Sequence, residues 1–308
     1  METRELISPG SVQQPRMSEA EFKLMQSLVY EQCGMHFDER RSHFLQDRLQ
    51  RRLKACQLNS FYSYYQLLIS PQGKAELAVL LETLTINETS FFRNKAQLDL
   101  FHKCTMEEIF RRKQERRDYS LRIWSAGCSR GQEAYTLAML ACDALSYYYL
   151  RHPLPMEMPV PRPLVPPPWK LEVLASDISY SALRAGEEGN YTEAQMEPVG
   201  FSYRLRYFDK AGDHYSVKKA VKNLVQFDFH NLKTDFLPQR NDVIFCRNVM
   251  IYFDEPEQRR LLEKFHRCLN PDGYLFVGHA ESLLGLTNKF RLIHRDNGTA
   301  YQRIEVIE

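Results

Sequence analysis

Residues 121–131 read Leu121-Arg122-Ile123-Trp124-Ser125-Ala126-Gly127-Cys128-Ser129-Arg130-Gly131, and an amphipathic helical pattern follows from Gln132 to Ala141. This order predicts a strand, a tight turn and a helix. The glycines at both ends of the turn allow the backbone to reverse sharply and to approach a ligand closely. The unpaired N–H groups at a helix start favour a negatively charged or strongly accepting group there.

A second short apolar run, Leu171 to Ser176, ends in Asp177. A carboxylate at the end of such a strand can accept hydrogen bonds from both hydroxyls of a ribose, so the two segments together indicate a nucleoside-cofactor site. The acid lies much further along the chain than the typical spacing of about twenty residues. A plain αβ unit, in which the glycine turn and the aspartate only cap their elements, is the alternative reading of the same pattern.

Much of the extra spacing lies in residues 147–169, which are rich in proline. Eight prolines occur between Pro153 and Pro168. Proline lacks a backbone donor and has a fixed φ, so it prevents regular helix or sheet. We therefore expect an inserted loop at 147–169, between the helix and the second strand.

The composition is that of an ordinary globular protein. The chain has 308 residues, 44% of them hydrophobic and 26% charged, and a formal charge of +2. This charge argues against a general binder of nucleic acid, and no apolar run is long enough to cross a bilayer. The seven cysteines are scattered without paired metal-ligand spacing, and the N-terminus lacks a signal-peptide pattern. We expect a reduced, cytoplasmic protein that binds no metal and does not insert into a membrane.

The N-terminal part predicts a mobile tail at 1–16 and an all-α domain at 17–86. A capping box at Ser18 to Glu21 precedes the first helical pattern. In the second helix a leucine stripe runs beside a row formed by Arg41, Arg48 and Arg52. This row is either an ordinary solvated helix face or a docking surface for an acidic partner.

The remainder predicts a linker and helix at 87–120 and an α/β domain at 121–308. Residues 201–226 hold short aromatic and charged runs broken at Ala211-Gly212-Asp213, which is typical of a small β insert. The segment Arg295-Asp296-Asn297-Gly298 predicts a final antiparallel hairpin. The expected fold class is therefore α/β: an open, Rossmann-like sheet with a small β insert and an antiparallel final hairpin, preceded by the all-α domain.

Four motifs resemble one known family. They are Asn87-Glu88-Thr89-Ser90-Phe91-Phe92-Arg93, the turn from Gly127 to Glu133, Ala175-Ser176-Asp177-Ile178, and Cys246-Arg247-Asn248-Val249-Met250-Ile251-Tyr252-Phe253. Gly278-His279-Ala280-Glu281-Ser282 is similar as well. Together they resemble the glutamate O-methyltransferases of chemotaxis receptors, the CheR-type family. The resemblance implies an S-adenosyl-L-methionine-dependent methyltransferase fold. It also implies an enzyme that forms γ-methyl esters on receptor glutamates in chemotactic adaptation and releases S-adenosyl-L-homocysteine.

The resemblance also implies the roles of individual residues. The residues expected to line the cofactor are Asn87, Thr89, Arg93, Glu133, Asp177, Asn231, Leu232, Asn248 and Val249, with Asp177 on the ribose. Arg93 and Tyr252 would lie beside the reacting methyl. A glutamate carboxylate, with a reference pKa of about 4.3, is already ionised at neutral pH, so the reaction needs positioning rather than a general base.

Two features depart from the family's pattern. Arg130 introduces a cation into the glycine turn, and the β insert lacks the glycine-rich extension that the resemblance associates with docking to a receptor's C-terminal pentapeptide. We therefore expect an enzyme that acts at membrane receptors without a pentapeptide tether. The alternative from another class is a catalytically silent adaptor that senses S-adenosylmethionine or S-adenosylhomocysteine. A nucleic-acid methyltransferase is disfavoured, because neither a broad basic face nor an amine-methylating motif is present.

Overall fold

The computed structural model describes residues 16–38, 41–154, 163–233 and 237–305. Contacts divide the chain into two compact units. The first comprises Met1–Glu31 and His36–Leu84, and the second comprises Gln32–Met35 and Thr85–Glu308. The predicted tail at 1–16 lies outside the described residues except for Arg16. Within the described residues, no helix is long and apolar enough to span a membrane.

The first unit is helical. Its helices are α1 (Glu19–Cys33, whose last two residues fall in the second unit), α2 (Ser42–Ala55), α3 (Phe61–Ile69) and α4 (Lys74–Leu84). The predicted capping box is present: Glu21 N donates to Ser18 Oγ, and Ser18 N donates to Glu21 Oε2 at 2.9 Å. Burial of the stripe Leu45, Leu49 and Leu53 gives α2 its inner face.

In the part of the second unit that the structure describes, ten strands form two sheets. The strands are β1 (Ser120–Ala126), β2 (Lys170–Asp177), β3 (Asn190–Thr192), β4 (Phe208–Ala211), β5 (His214–Val217), β6 (Val225–Phe229), β7 (Asn241–Cys246), β8 (Leu269–Val277), β9 (Phe290–Arg295) and β10 (Gly298–Arg303). Its helices are α5 (Lys95–Leu100), α6 (Met106–Glu115), α7 (Gln132–Arg151), α8 (Tyr180–Glu188), α9 (Glu193–Met196), α10 (Phe201–Tyr207), α11 (Lys219–Lys222) and α12 (Glu255–Cys268). A π-helical turn, Phe101–Thr105, joins α5 to α6.

The large sheet has the order β6-β2-β1-β7-β8-β10-β9. Strands β6, β2, β1, β7 and β8 are parallel, and β10 pairs antiparallel with both β8 and β9. This confirms the predicted α/β class and the antiparallel final hairpin. The parallel strands bring the carboxyl ends of β1, β2, β6 and β7 to one edge, where open α/β sheets bind ligands.

Apolar side chains of β1 and β7 point alternately to the two faces of the large sheet, and each face is covered by an apolar cluster. Ile123 and Val243 join one apolar cluster, which includes residues of α5, α6 and α7, whereas Trp124 and Ile244 join a second cluster with residues of α12. Neighbouring residues of a strand point to opposite faces, so the near-continuous apolar runs of β1 and β7 fit strands buried on both sides. The carboxyl ends of β1 and β7 therefore stand on a buried part of the sheet.

Two expectations about insertions need correction. The helix α7 continues through Arg151, so 147–151 are helical and not part of the predicted insert at 147–169; the first proline, Pro153, comes only after the helix ends. Residues 155–162 of this insert lie outside the described residues. The small sheet has the order β3-β5-β4. The small sheet thus includes β3, which precedes the predicted subdomain at 201–226. That subdomain begins with the helix α10 and not with a strand.

Candidate active site

The glycine turn at the end of β1 has the predicted form. Gly127 and Gly131 both have φ +83°, a conformation that side chains disfavour. A Cβ on Gly127 would also stand 2.4 Å from Val249 Cγ2, so glycine is required there for space as well. The N–H groups of Gly127 and Cys128 donate to Ser176 O at 2.8 and 2.9 Å, which fastens the turn to β2. The long helix α7 then begins at Gln132 with no side-chain cap.

Asp177 lies at the carboxyl end of β2 and is 8% exposed. Its Oδ2 accepts from Ser129 N at 2.8 Å, and its Oδ1 accepts from Ser179 N at 3.0 Å. A carboxylate oxygen has more than one acceptor position, so these bonds orient the group and still allow it to accept from neighbouring hydroxyls. The glycine turn and this carboxylate therefore fit a nucleoside with adjacent ribose hydroxyls.

The loop before α5 comes to the same edge. Asn87 O accepts from Ser129 Oγ at 3.2 Å, and its side-chain amide donates to Ser179 Oγ at 3.4 Å. Thr89 lies half-buried in this loop, and Arg93 at its end is exposed. The structure thus brings Asn87 and Asp177 together through shared serine partners.

Glu133 is held inside the protein by two side chains. Its Oε1 accepts from Ser125 Oγ at 2.8 Å, and its Oε2 accepts from Arg247 Nε at 2.7 Å. Both side chains of the ion pair are nearly inaccessible, at 5% exposure for Arg247 and 10% for Glu133. A role for Glu133 in cofactor binding stays a prediction, and its contacts in the structure are internal.

The loop after β7 carries three predicted residues: Asn248, Val249 and Tyr252. Asn248 has φ +59°, and a short 3-10 turn, Met250–Tyr252, follows it. Glu281 stabilises this loop from the side. Its Oε2 accepts from the N–H groups of Asn248 and Gly278, and its Oε1 accepts from Ile251 N at 3.1 Å.

Asn231 and Leu232 follow β6 at the same edge of the sheet. The Asn231 amide donates to Gln32 O at 2.7 Å, and its Oδ1 accepts from Lys233 N at 3.0 Å. Leu232 is half-buried. These contacts orient Asn231 within the second unit, and its role toward a cofactor stays a prediction.

The arginine row of the first unit needs correction. Arg52 donates through Nε and Nη2 to the two carboxylate oxygens of Glu76, at 2.8 and 2.6 Å, and is only 22% exposed. Burial raises the pKa of Glu76, but hydrogen bonds from Arg52 and Tyr64 outweigh it, and the pKa lies below its usual value. The ion pair of Arg52 with Glu76 therefore connects α2 to α4, and we do not assign Arg52 to the docking surface.

The other members of the row remain accessible. Arg41 is exposed, and Arg48 stacks over the Phe44 ring at 5.0 Å while it keeps partial exposure. Arg51, which the sequence reading passed over, is exposed one residue before Arg52. A helical-wheel projection with Leu45, Leu49 and Leu53 fixed on the inner side identifies Arg51 as outward-facing.

The turn itself offers no nucleophile and no metal site. Cys128 is fully buried, and burial together with the nearby carboxylates of Asp177 and Glu133 raises the pKa of its thiol well above the usual range. It therefore packs as a small apolar residue. Among the described residues, no cluster of His, Cys, Asp and Glu could hold a metal ion. The Arg130 side chain is exposed to solvent.

Comparison with known proteins identifies the family. The family model "CheR methyltransferase, SAM binding domain" matches residues 87–151 and 165–299, and "CheR methyltransferase, all-alpha domain" matches residues 20–85. The chain belongs to the CheR methyltransferase family. It is a methyltransferase that uses S-adenosyl-L-methionine, and the resemblance seen in the four motifs is confirmed.

Curated relatives support the assignment over most of the chain. The "Chemotaxis protein methyltransferase" of Borreliella burgdorferi is 31% identical over 85% of this chain and 87% of its own length. The proteins of the same description from Salmonella typhimurium and Escherichia coli are each 33% identical over 90% of this chain, and over 88% and 89% of their own lengths. Both units of this CheR-family chain thus have counterparts in the relatives.

The sequence analysis assigned no role to Arg247 and Glu281. In the structure their side chains form hydrogen bonds with predicted site residues. Both stood inside quoted motifs, so their positions were visible. Their partners were not, because Arg247 contacts residues about 110 to 155 positions earlier in the chain, and Glu281 contacts a loop 30 positions earlier. The signal available in the sequence was the charge itself, because Arg247 and Glu281 each stand in a quoted motif whose other residues are uncharged.

We expect Glu281→Gln to weaken S-adenosylhomocysteine binding about tenfold. In glutamine, an NH2 donor replaces one of the two acceptor oxygens of Glu281. This donor faces a backbone N–H, which is left without an acceptor at a cost of about 1–3 kcal/mol. Calorimetric titration measures the affinity. Glu255→Gln is the matched control, because Glu255 is exposed and forms its ion pair with Arg259 of the same helix, α12. Equal affinities of the two variants would contradict the role of Glu281 in shaping the Asn248 loop.

Proposed function

We propose that this CheR-family enzyme methylates glutamate side chains in the cytoplasmic domain of a chemotaxis receptor. The products are glutamyl γ-methyl esters and S-adenosyl-L-homocysteine, and the enzyme acts where its receptors lie in the membrane. The observation that carries the proposal is the exposed Arg93: its carbonyl accepts from Arg247, the residue that follows β7, and its loop also contains Asn87, which accepts from Ser129 of the glycine turn. The names and lengths of the curated relatives support a chemotaxis role.

The cofactor supplies an electrophilic methyl group on a sulfonium. The glutamate oxygen forms a bond to this methyl as the carbon–sulfur bond breaks, and the electron pair of that bond passes to sulfur. No proton moves, because a carboxylate is already ionised at neutral pH. The chain therefore needs no general base, and the buried Cys128 and the absence of a nucleophile in the turn fit this chemistry.

Arg93 and Tyr252 have the properties required for orienting a carboxylate. A guanidinium can donate two parallel hydrogen bonds to a carboxylate, and a phenol can donate one. The carboxylate loses its charge as the ester forms, so Arg93 must not bind the starting carboxylate much more tightly than the transition state. An exposed arginine satisfies this condition, because water weakens its attraction and leaves orientation as its main contribution.

The remaining predicted residues would bind the cofactor. Asp177 would accept from the ribose hydroxyls, and Asn87, Thr89, Glu133, Asn231, Leu232, Asn248 and Val249 would surround the rest. The close approach of Gly127 to Val249 supports this for Val249, because a Cβ on Gly127 would stand 2.4 Å from Val249 Cγ2 and would push Val249 away from the turn. Arg93 is the one residue that we assign both to the cofactor and to the substrate.

The first experiment is transfer of labelled methyl from S-adenosylmethionine to receptor-containing membranes. We expect a label that mild alkali releases as methanol, because esters hydrolyse under these conditions. Arg93→Ala and Tyr252→Phe should each lower the rate at least tenfold, since orientation is the main catalytic contribution. A label that resists alkali would refute ester formation. Tight S-adenosylhomocysteine binding without any label would favour the silent adaptor.

We further propose that Arg41, Arg48 and Arg51 form a docking row on α2 for an acidic surface of the receptor. Charge reversal of Arg48 and Arg51 to Glu should raise the KM for the receptor about tenfold at low salt. Salt screens exposed charges, so the difference should shrink at 0.5 M salt. Cofactor affinity should stay unchanged.

Arg111→Glu with Arg184→Glu is the matched control for the docking row, because both residues are exposed and each forms an ion pair within its own helix. An unaltered KM in the Arg48 and Arg51 variant at low salt would remove the docking role.

The proposed enzyme acts without a pentapeptide tether. The small sheet supports this, because β4 and β5 are only four residues each and Gly212 is the one glycine between them. Deletion of a receptor's C-terminal tail should leave its methylation rate within about twofold, as measured by the alkali-labile label. A large loss on tail deletion would contradict tether independence and leave the methyltransferase assignment intact.

A further inference from the structure

Arg247 is a buried cation at the carboxyl end of β7. The residue is 8% exposed, and its guanidinium lies over the Phe245 ring at 5.7 Å. Burial of a charged group is costly unless it is paired and hydrogen-bonded. The contacts that satisfy Arg247 therefore indicate what the residue does.

The guanidinium joins three segments of the chain. Its Nε donates to Glu133 Oε2 at 2.7 Å, in the first turn of α7. Its Nη1 donates to the backbone oxygen of Arg93 at 2.8 Å, and more weakly to Gln97 Oε1 at 3.4 Å. One planar group thus connects the helix that follows the glycine turn with the loop that presents Arg93.

The partners of Arg247 are themselves fixed to the sheet. Gln97 donates through Nε2 to Val277 O at 2.7 Å and to Thr299 O at 3.0 Å, at β8 and β10. Ser125 of β1 holds the second oxygen of Glu133. Arg247 therefore holds the Arg93 backbone in a fixed position relative to the sheet.

The Arg93 loop needs such an anchor. Phe92, just before Arg93, has φ +52°, a region that costs a bulky residue about 1–3 kcal/mol. Asn94, just after Arg93, has φ +60°, which asparagine tolerates better than other non-glycine residues. The Arg93 side chain gives little support, because it is exposed and its hydrogen bond to Glu88 O is 3.3 Å long. Phe91, which is fully buried against Tyr191 and Phe208, fixes the loop before Arg93, and Asn94, whose side chain accepts from Gln97 N as the N-cap of α5, fixes it after Arg93. The hydrogen bond from Arg247 holds the Arg93 carbonyl between these two anchors.

We propose that Arg247 is a positioning residue for methyl transfer: it holds the Arg93 carbonyl so that the Arg93 guanidinium meets the substrate carboxylate in line with the methyl. This rests on the proposed function of Arg93. Arg247 acts through Arg93 and does not itself contact the substrate. A displacement of about 1 Å in such a group can lower a rate about a hundredfold.

The test is a double-mutant cycle between Arg247→Lys and Arg93→Ala. Lysine keeps the charge, but its single nitrogen lacks the planar fork that contacts Glu133 and Arg93 together. Alone, Arg247→Lys should lower kcat about 30- to 100-fold and change S-adenosylhomocysteine affinity less than threefold. In the Arg93→Ala background it should lower kcat less than threefold further, because its effect acts through the missing side chain.

Hydrogen exchange supplies a second readout that does not depend on activity. In Arg247→Lys, the amides of residues 91–94 should exchange at least tenfold faster, whereas those of β7 should be unchanged. Ser125→Ala is the matched control, because it removes the other hydrogen bond of Glu133 and leaves the Arg93 loop untouched; its kcat should stay within threefold. If Arg247→Lys does not fold, the pair Glu133→Gln with Arg247→Gln removes both buried charges and should show the same non-additivity with Arg93→Ala in kcat.

The outcomes separate this inference from the proposed function. Absence of alkali-labile ester with the unchanged chain overturns the proposed function, and the inference with it. Ester formation that Arg93→Ala leaves undiminished overturns the role of Arg93 and the inference that depends on it. An active chain in which Arg247→Lys and Arg93→Ala multiply in kcat, or in which the loop exchanges as before, overturns the inference alone.

Discussion

The buried ion pair between Arg247 and Glu133 is the interaction on which the site depends. It links the loop after β7 to the first turn of α7, and Nη1 of the same guanidinium donates to the carbonyl of Arg93. Burial of two charges is tolerated because Glu133 also accepts from Ser125 Oγ of β1, and Arg247 also donates to the Arg93 carbonyl. Buried ion pairs are often no more stabilising than packed apolar side chains of similar volume, so we infer that this pair serves mainly to fix the three segments that it joins.

Two carboxylates also fix loops at this edge of the sheet, through hydrogen bonds from backbone N–H groups. Asp177 accepts from two backbone N–H groups of the glycine turn and the α8 cap, and Glu281 accepts from three in the loop after β7 and at Gly278. Loops at the carboxyl edge of a parallel sheet have backbone donors that no neighbouring strand can satisfy. The buried Asp177 and the half-buried Glu281 satisfy them here, so the loops gain order without the addition of regular structure.

The arginine row of α2 shows how far a helical pattern can be interpreted. The spacing identified a basic flank beside the leucine stripe, and the structure keeps that flank. It could not reveal that Glu76, on another helix and 24 residues later, takes Arg52 out of the row, or that Arg51 is exposed in its place. Position around a helix follows from sequence, whereas the partner of a long flexible side chain depends on which helix packs alongside.

The sequence by itself determined the strand-turn-helix around Gly127, the acidic end of β2, the all-α N-terminal unit, the final hairpin and, through its motifs, the family. These follow from local properties: apolar periodicity, glycine φ and capping residues. Only the tertiary structure decided the joining of β3 to the small sheet, the extent of α7, and the partners of Glu133, Arg247 and Glu281. Contacts between distant residues decide these features, since strand order and side-chain pairing depend on which elements the folded chain brings together.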